Sequence, residues 1–345
     1  MVYREIGIGI VGSGFMGRTY AETTTKYNRH ARLIAIAGGT RAAGLATDYE
    51  VDLEPSVENL MARDDVDAVI LTPPESVHLE HTRMAAAAGK HVLTEKPMAP
   101  DVAQCTAMID ACRDAGVTLM VVQSQRFRGV HQRARALLDE ERIGKVWQVR
   151  HWSNFPIEWS VPVVGDRPWY ADPEGGLFLG QCVHNFDMMR WLVGSEACQV
   201  YAHVSSHGDH GLPNLSVMAQ VEFENGATGQ LWVCLELPGA AFPQSQFHSQ
   251  VVGSKGLLDF DGYTHLDLAE DGVWQRVWEQ PDFDLLDSMD PVRLESYTAQ
   301  NQAFIDSILT GRPPPVTGED GRAAVDLCLA SLQSARSGQA VTLPI

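Results

Sequence analysis

The stretch that decides the fold is IGIGIVGSGFMGRTYAETT, residues 6–24. It opens as a continuous apolar run, which predicts a buried strand, and continues into a stretch typical of a helix. Between them Gly12, Gly14 and Gly17 form a G-x-G-x-x-G pattern. The first glycine permits a tight turn, the second lets the main chain approach a pyrophosphate, and the third lets the helix pack closely on the strand. We therefore predict a dinucleotide-binding turn formed by Gly12, Ser13, Gly14, Phe15 and Met16.

Further apolar runs follow this strand within the first 124 residues, at 32–37, 67–71, 91–94 and 117–122. Helix-like stretches separate them. Continuous apolar strands that alternate with helices indicate a parallel sheet covered on both faces. Residues 1–124 are therefore predicted to form an α/β, Rossmann-type dinucleotide-binding domain.

The pattern changes after residue 125. Apolar and polar residues alternate over several runs, joined by turn signals such as Asn225-Gly226 and Asp261-Gly262. This alternation predicts a mostly antiparallel sheet with one wet face. Two helix-like stretches follow, near 292–309 and 318–334. Residues 125–345 are therefore predicted to form an α+β domain.

Composition and charge limit the partners. The chain has 345 residues, a net charge of −18 and six scattered cysteines. A negative field of this size repels nucleic acid and anionic membrane surfaces. No apolar run reaches 18 residues and no signal peptide is recognisable, so we expect no membrane span. Scattered cysteines without C-x-x-C pairs are typical of a reduced, cytoplasmic protein.

The end of the second predicted strand bears on the choice of cofactor. NAD-binding domains carry an acidic residue there, about 20 residues after the turn, which binds the ribose 2′-hydroxyl. Here Gly38, Gly39 and Thr40 occupy that region, and Arg41 follows. A hydroxyl and a guanidinium suit a 2′-phosphate. We predict that NADP(H) is favoured through Thr40 and Arg41, with NAD(H) possible if Arg41 only opens a solvated helix face.

Glu95, Lys96 and Pro97 stand at the end of another predicted strand. Ligands of open α/β sheets bind at the carboxyl ends of strands. A lysine there can point at the cofactor and donate to a substrate oxygen. Elsewhere the same Glu-Lys dipeptide would be read as a surface pair.

Five segments together resemble one family. They are GIVGSGFMG, VDAVILTPPESVH, GKHVLTEKPMA, RIGKVWQVR and GGLFLGQCVHNFDMMRWLVG. The sequence resembles the glucose-fructose oxidoreductase/inositol dehydrogenase (Gfo/Idh/MocA) family over nearly its whole length. The resemblance implies an NAD(P)-dependent dehydrogenase or reductase acting on sugars, inositols or related polyols. It also implies a large open sheet in the second domain and a homodimer or homotetramer.

The same resemblance implies the catalytic residues. Matched to the family pattern, Lys96 and His184 surround the reacting carbon. Gly180 stands where most members carry an aspartate, which leaves the acid–base assignment open. His184 can act as general base or acid because the pKa of a histidine can lie near working pH. Asp187 is one helical turn further on and is predicted to orient His184.

Further site residues come from the same comparison. The residues predicted to line the cofactor, beside the turn, Thr40 and Arg41, are Thr72, Pro73, Pro74, His78, Glu95, Lys96 and Gln123. The residues predicted to contact the substrate are Gln181, Arg126, Trp152, Trp169 and Tyr170. Any one of these aromatic side chains is as readily a core residue.

Three alternatives stay open. The first is a metal site formed by the histidines and aspartate at 203–210 or by His78 and His81. These spacings match no common zinc pattern, so no metal is predicted. The second is an enzyme that uses a bound NAD transiently to eliminate and hydrolyse glycosidic bonds, as some members of the family do. A non-catalytic NADP-binding sensor is the third, suggested by Gly180 and opposed by the retained Lys96 and His184.

Overall fold

The fold is described from a computed structural model. It describes residues 4–158, 168–238, 246–284, 287 and 289–345, without the side chains of residues 168 and 169.

A parallel sheet forms the centre of the first unit. Its strand order is β3-β2-β1-β4-β5-β6, and every neighbouring pair is parallel. Adjacent strand residues point to opposite faces, and both are buried at Ile10 and Val11 of β1 and at Val69 and Ile70 of β4. Burial on both faces explains the continuous apolar runs in the sequence. The predicted α/β class is confirmed. The strands are β1 (Ile6–Val11), β2 (Ala31–Ala37), β3 (Asp52–Glu54), β4 (Ala68–Leu71), β5 (His91–Thr94) and β6 (Leu119–Val121).

Five helices follow the strands of this sheet within the described residues. Because each crossover returns the chain to the same end of the sheet, the carboxyl ends of β1, β2, β4, β5 and β6 lie along one edge. That edge carries the predicted cofactor residues. The helices are α1 (Phe15–Lys26), α2 (Ala42–Asp48), α3 (Val57–Met61), α4 (His78–Ala87) and α5 (Val102–Asp114).

The second unit contains a larger sheet, with nine strands within the described part of the chain. Its order is β14-β13-β12-β11-β7-β10-β9-β8-β15, and only β7 and β10 pair in parallel. The predicted, mostly antiparallel sheet is confirmed. The strands are β7 (Val146–Pro156), β8 (Ala197–Ser205), β9 (Ser216–Phe223), β10 (Thr228–Leu237), β11 (Gln246–Gly253), β12 (Gly256–Asp261), β13 (His265–Glu270), β14 (Val273–Glu279) and β15 (Val341–Thr342).

Helices cover one face of this sheet. Val217, Ala219 and Val221 on β9 are buried, whereas Met218 between them is 62% exposed. This alternation is that of a strand with one face on a core and one toward solvent. The helices on the covered face are α6 (Gly129–Asp139) and α7 (Gly176–Val193).

The last two helices are α8 (Pro291–Thr310) and α9 (Gly318–Ser337). The Asp290 carboxylate caps α8 by accepting from the Val292 and Arg293 amides at 2.9 and 3.2 Å. Pro291 occupies a first-turn position, where its missing N–H is not needed. Helix α8 then packs along α1.

Because α8 packs on α1, the two compact units of the protein are not continuous in sequence. By their contacts, residues group as Met1–Phe127 with Phe283–Arg322, and as Arg128–Asp282 with Ala323–Ile345. The boundaries predicted from the sequence, 1–124 and 125–345, placed α8 in the second domain. Its contacts with α1 place it in the first unit.

Candidate active site

The glycine-rich turn joins β1 to α1. Gly12 has φ +103°, a left-handed conformation that favours glycine, and a Cβ there would overlap Thr72 Oγ1. A Cβ at Gly17 would overlap the Gly12 carbonyl oxygen. These two glycines therefore set the turn and the close approach of α1 to the sheet.

Gly14, the second glycine of the pattern, faces open space. A Cβ at Gly14 would meet nothing within 4 Å, and Gly14 is the N-cap of α1 without a side-chain cap. The first turn of α1 carries no acidic side chain. The first amides of the helix and its positive dipole end therefore face a cradle that a larger residue would fill. These residues fit the pyrophosphate of a dinucleotide.

A buried cation lies beside the turn. Arg293 on α8 is 3% exposed, and its guanidinium carbon lies 4.5 Å from the centroid of the Phe15 ring. Its Nη1 donates to Thr19 Oγ1 at 3.2 Å. A fixed positive charge next to Phe15 adds to the helix dipole in favouring an anionic ligand. No sequence signal indicated this residue, because it lies far along the chain from the turn.

The end of β2 is fixed on the turn. Gly38 and Gly39 have φ +78° and +82°, and a Cβ at Gly39 would overlap Ser13 Oγ. The Arg41 amide donates to the same Ser13 oxygen at 3.2 Å. A side chain, and with it a carboxylate, is therefore disfavoured at position 39. Thr40 and Arg41 are exposed, and within the described residues the Arg41 guanidinium has no ion-pair partner.

His78 lies between two loops of the carboxyl edge. Its Nδ1 lies 3.1 Å from the carbonyl oxygens of Pro97 and Met98, and its Nε2 lies 2.9 Å from that of Pro73. Burial lowers the pKa of His78 to about 4, so the ring stays neutral. A neutral imidazole has one N–H, so it donates either to the carbonyls of Pro97 and Met98 or to that of Pro73. A direct contact between His78 and a cofactor stays a prediction.

Glu95 and Lys96 follow β5. Glu95 is 6% exposed, and its Oε1 accepts from the Tyr20 hydroxyl at 3.0 Å. Its Oε2 accepts from the Lys96 amide at 3.2 Å. Lys96 is partly exposed at the edge of the sheet. The carboxylate therefore has protein donors at both oxygens and fixes the main chain of the lysine.

Arg126 is held in a buried ion pair. Its side chain is 7% exposed, and its Nη2 donates to Asp320 Oδ1 at 3.0 Å. Its Nη1 donates to the Pro315 carbonyl oxygen at 3.2 Å. A guanidinium buried in an ion pair loses much if it leaves its partner. Arg126 therefore holds the segment before α9, and a contact between Arg126 and the substrate stays a prediction.

In the second unit, α7 carries His184 and Gln181. Both are partly exposed, while Cys182, Val183 and Asn185 are buried. Asn185 Nδ2 donates to His151 Nε2 at 3.0 Å, and His151 Nδ1 lies 2.8 Å from Ser249 Oγ. Burial lowers the pKa of His151 to about 3. A neutral, fully bonded imidazole therefore anchors α7 to β7 and β11 next to His184.

Asp187 lies on the buried side of α7. It is 1% exposed, and its Oδ1 lies 3.8 Å from Arg190 Nη1. Arg190 also pairs with Glu196 at 2.6 Å. These contacts describe a carboxylate with an ion-pair partner on its own helix. The predicted orientation of His184 by Asp187 stays a prediction.

Two of the aromatic candidates differ in position. Tyr170 is 6% exposed and its ring packs on α7 at Gly180. Trp152 stacks on His248, with ring centroids 4.1 Å apart. Its neighbour His151 bonds α7, and adjacent strand residues point to opposite faces, so Trp152 faces away from α7. A contact between Trp152 and the substrate stays a prediction. The predicted Trp169 side chain lies outside the described residues.

Two further findings concern metals and membranes. The described ranges contain no group of three or more His, Cys, Asp or Glu side chains arranged to hold a metal ion. Among the same residues, no helix combines the length and apolarity that a bilayer span requires.

The fold and the phosphate cradle define a dinucleotide-binding protein with a second, sheet-based unit. Two family descriptions match the chain. They are the oxidoreductase family with an NAD-binding Rossmann fold, over residues 6–123, and the GFO/IDH/MocA C-terminal domain, over residues 131–259. The chain belongs to the Gfo/Idh/MocA oxidoreductase family. A nicotinamide dinucleotide is its cofactor.

Individual relatives are similar over nearly their whole length. Inositol 2-dehydrogenase of Rhizobium meliloti is 28% identical, over 98% of this chain and 99% of that protein. D-xylose 1-dehydrogenase (NADP(+)) 2 of Haloferax volcanii is 27% identical, over 97% and 99%. The crystal structure of aldose-aldose oxidoreductase from Caulobacter crescentus, complexed with glycerol, has 26% identity and a TM-score of 0.83, over 99% and 100% of the two chains.

Proposed function

We propose that the protein transfers a hydride between a nicotinamide cofactor and the secondary alcohol or ketone of a sugar, an inositol or a related polyol. The observation that carries this proposal is the uncapped cradle at Gly14 on an edge where Glu95 also fixes the Lys96 main chain. The inositol and xylose dehydrogenases among the relatives supply the substrate class.

The preferred cofactor is NADP(H). Gly39 leaves no place for the carboxylate that would bind a ribose 2′-hydroxyl, because its φ is +82° and Ser13 Oγ fills the Cβ position. The exposed Arg41 guanidinium and Thr40 hydroxyl stand beside it. A 2′-phosphate can accept charge-assisted hydrogen bonds from such a pair. The xylose dehydrogenase relative is named as an NADP(+) enzyme.

When bound, the nicotinamide ring accepts or supplies the hydride. His184 takes the hydroxyl proton of the substrate during oxidation and returns it during reduction. Lys96 donates to the substrate oxygen and stabilises the negative charge that develops there. Gln181, Gln123 and the prolines at 73 and 74 orient the reactants. Tyr170 contacts the substrate through its ring.

We expect a homo-oligomer that uses the uncovered face of the nine-stranded sheet. Met218, Trp232 and Trp152 stand opposite one another in register on β9, β10 and β7. Met218 is 62% exposed, and Tyr201 on β8 is 49% exposed. A row of large apolar side chains across a sheet suits a second copy of the same surface.

The test is a titration of the purified protein with NADPH and with NADH, followed by a screen of polyols and sugars with the tighter cofactor. Tighter binding of NADPH and a substrate-dependent change in absorbance at the nicotinamide band are expected. Tighter NADH binding would overturn the Arg41 assignment alone. A bound cofactor that cleaves glycosides without net redox change, or that turns over no substrate, would overturn the hydride-transfer proposal.

A further inference from the structure

A continuous chain of buried hydrogen bonds joins the ends of β6 and β5. The main-chain N–H of Gln123 donates to Gln300 Oε1 at 3.0 Å, and Gln300 Nε2 donates to the Tyr20 hydroxyl oxygen at 3.0 Å. Gln300 lies on α8 and Tyr20 on α1. One side-chain amide therefore links the strand end at residue 123 to the helix that carries the phosphate turn.

The chain continues to the lysine. The Tyr20 hydroxyl donates to Glu95 Oε1 at 3.0 Å, and Glu95 Oε2 accepts from the Lys96 amide at 3.2 Å. Gln300 and Tyr20 each accept from one neighbour and donate to the next, and Glu95 accepts from both sides. Burial next to Glu95 raises the pKa of Tyr20 well above its usual value, so the phenol keeps the proton it donates.

These hydrogen bonds are costly to break because the groups that form them are buried. Tyr20 and Gln300 are fully buried, and Gln123 is 1% exposed. A buried polar group that loses its partner pays its full desolvation penalty, so the chain is stable only when every member is bonded. Removal of one link takes a partner from the group that bonded it and weakens the restraint on the rest of the chain.

We propose that Gln300 and Tyr20 are positioning residues that hold the Glu95–Lys96 main chain in a fixed place relative to the phosphate turn. Tyr20 lies in α1, which begins at that turn, and Glu95 directly precedes Lys96. Because a small misplacement of a catalytic group lowers the rate steeply, the lysine needs such a support. The kinetic consequence rests on the proposed function, whereas the positioning itself does not.

The test compares Tyr20→Phe and Gln300→Leu with Asn301→Leu. Asn301 is the next residue on α8, is fully buried, and donates to Thr24 Oγ1 at 2.9 Å and Asn28 Oδ1 at 2.7 Å. It therefore also joins α8 to α1, but it touches neither strand end. Loss of its bonds reports the cost of weakening the helix pair alone.

The first readout is amide hydrogen exchange of the full-length protein over the peptide that contains Glu95 and Lys96. Tyr20→Phe and Gln300→Leu should speed exchange there about fivefold or more, as expected for the loss of one hydrogen bond. Asn301→Leu should leave it unchanged. Unchanged exchange in Tyr20→Phe, or equal acceleration in Asn301→Leu, would overturn the proposal. Tyr20→Phe keeps the buried ring, so it provides the test even if Gln300→Leu does not fold.

The second readout separates kcat from KM. Tyr20→Phe should lower kcat about tenfold while KM for the substrate changes less than about twofold, because the defect lies in the placement of Lys96. Asn301→Leu should keep kcat. A change confined to KM would overturn the positioning role. If the wild-type protein reduces or oxidises no polyol, the proposed function fails, and the exchange measurement still decides the positioning.

Discussion

The ring of Tyr170 lies directly against Gly180. A Cβ at position 180 would stand 3.1 Å from Tyr170 Cε1 and 3.4 Å from its hydroxyl oxygen. Position 180 lies on α7, one turn before His184, and the family resemblance implies a carboxylate there. In this protein the phenol of Tyr170 lines that position instead. Glycine is the residue that lets this ring approach α7.

The two residues should be energetically coupled. In a helix interior, Gly→Ala usually stabilises by about 0.5–1 kcal/mol, whereas overpacking costs about 1–3 kcal/mol. Gly180→Ala should therefore be neutral or destabilising in the wild type and stabilising in a Tyr170→Ala background. A double-mutant cycle by urea unfolding measures the coupling, which we expect to be about 1 kcal/mol. Gly44→Ala in α2 is the control, since its Cβ would meet no atom within 4 Å. Additive effects at 170 and 180 would contradict the contact.

Lys96→Met and His184→Ala should each lower kcat by about 100-fold or more, the usual range for loss of a positioned acid–base or electrostatic group. The dissociation constant of the tighter cofactor should change little, since the phosphate turn is intact. Steady-state kinetics and fluorescence titration check both points. Lys255→Met and His203→Ala alter exposed residues and serve as controls. Near wild-type turnover in both variants would refute the assignment.

Arg41→Ala should weaken NADPH binding by about 10- to 100-fold, as expected for the loss of hydrogen bonds to a charged group. NADH binding should stay within about twofold, because NADH lacks the 2′-phosphate. The comparison is made by titration with both cofactors. Arg113→Ala, at an exposed arginine on α5, is the matched control. Equal losses for NADPH and NADH would mean that Arg41 does not read the 2′-phosphate.

The stability of the fold should fall in mild acid, in part through His151. Its pKa is about 3 when folded, because of burial, against about 6.5 when unfolded. Below pH 6.5 the unfolded chain binds a proton that the folded protein does not, so stability is lost as pH falls from about 6.5 toward 3. His151→Gln should reduce this slope by up to about 1.4 kcal/mol per pH unit. Urea unfolding between pH 7.5 and 5 measures it, with His203→Gln as control. An unchanged slope would argue against a neutral His151.

Met218→Glu should dissociate the homo-oligomer, because a carboxylate would be desolvated in the centre of the apolar row on the open sheet face. Sedimentation velocity measures the change. Leu53→Glu is the control, since Leu53 is a similarly exposed apolar residue of the first unit. A wild-type protein that sediments as a monomer would overturn the expected assembly, and an oligomer unaffected by Met218→Glu would place its interface elsewhere.

Local chemistry was readable from the sequence. The turn at Gly12–Gly17 follows from backbone conformations that favour glycine, and the two kinds of sheet follow from continuous as against alternating apolar patterns. The strand ends that carry Thr72, Lys96 and Gln123 follow from the parallel order. Each of these signals spans a few neighbouring residues, so the sequence alone determined them.

Tertiary structure decided which distant side chains meet. Gln300 bonds Tyr20 across 280 positions of sequence, and no local pattern indicates that α8 returns to α1. Arg126 pairs with Asp320, 194 positions further along the chain, and no local pattern indicates this pair. His151 and Trp152 are neighbours that face opposite sides of a sheet. Because α7 packs on one side only, His151 bonds that helix and Trp152 faces the other side. Side-chain partners depend on how elements pack, and packing is set by the whole chain.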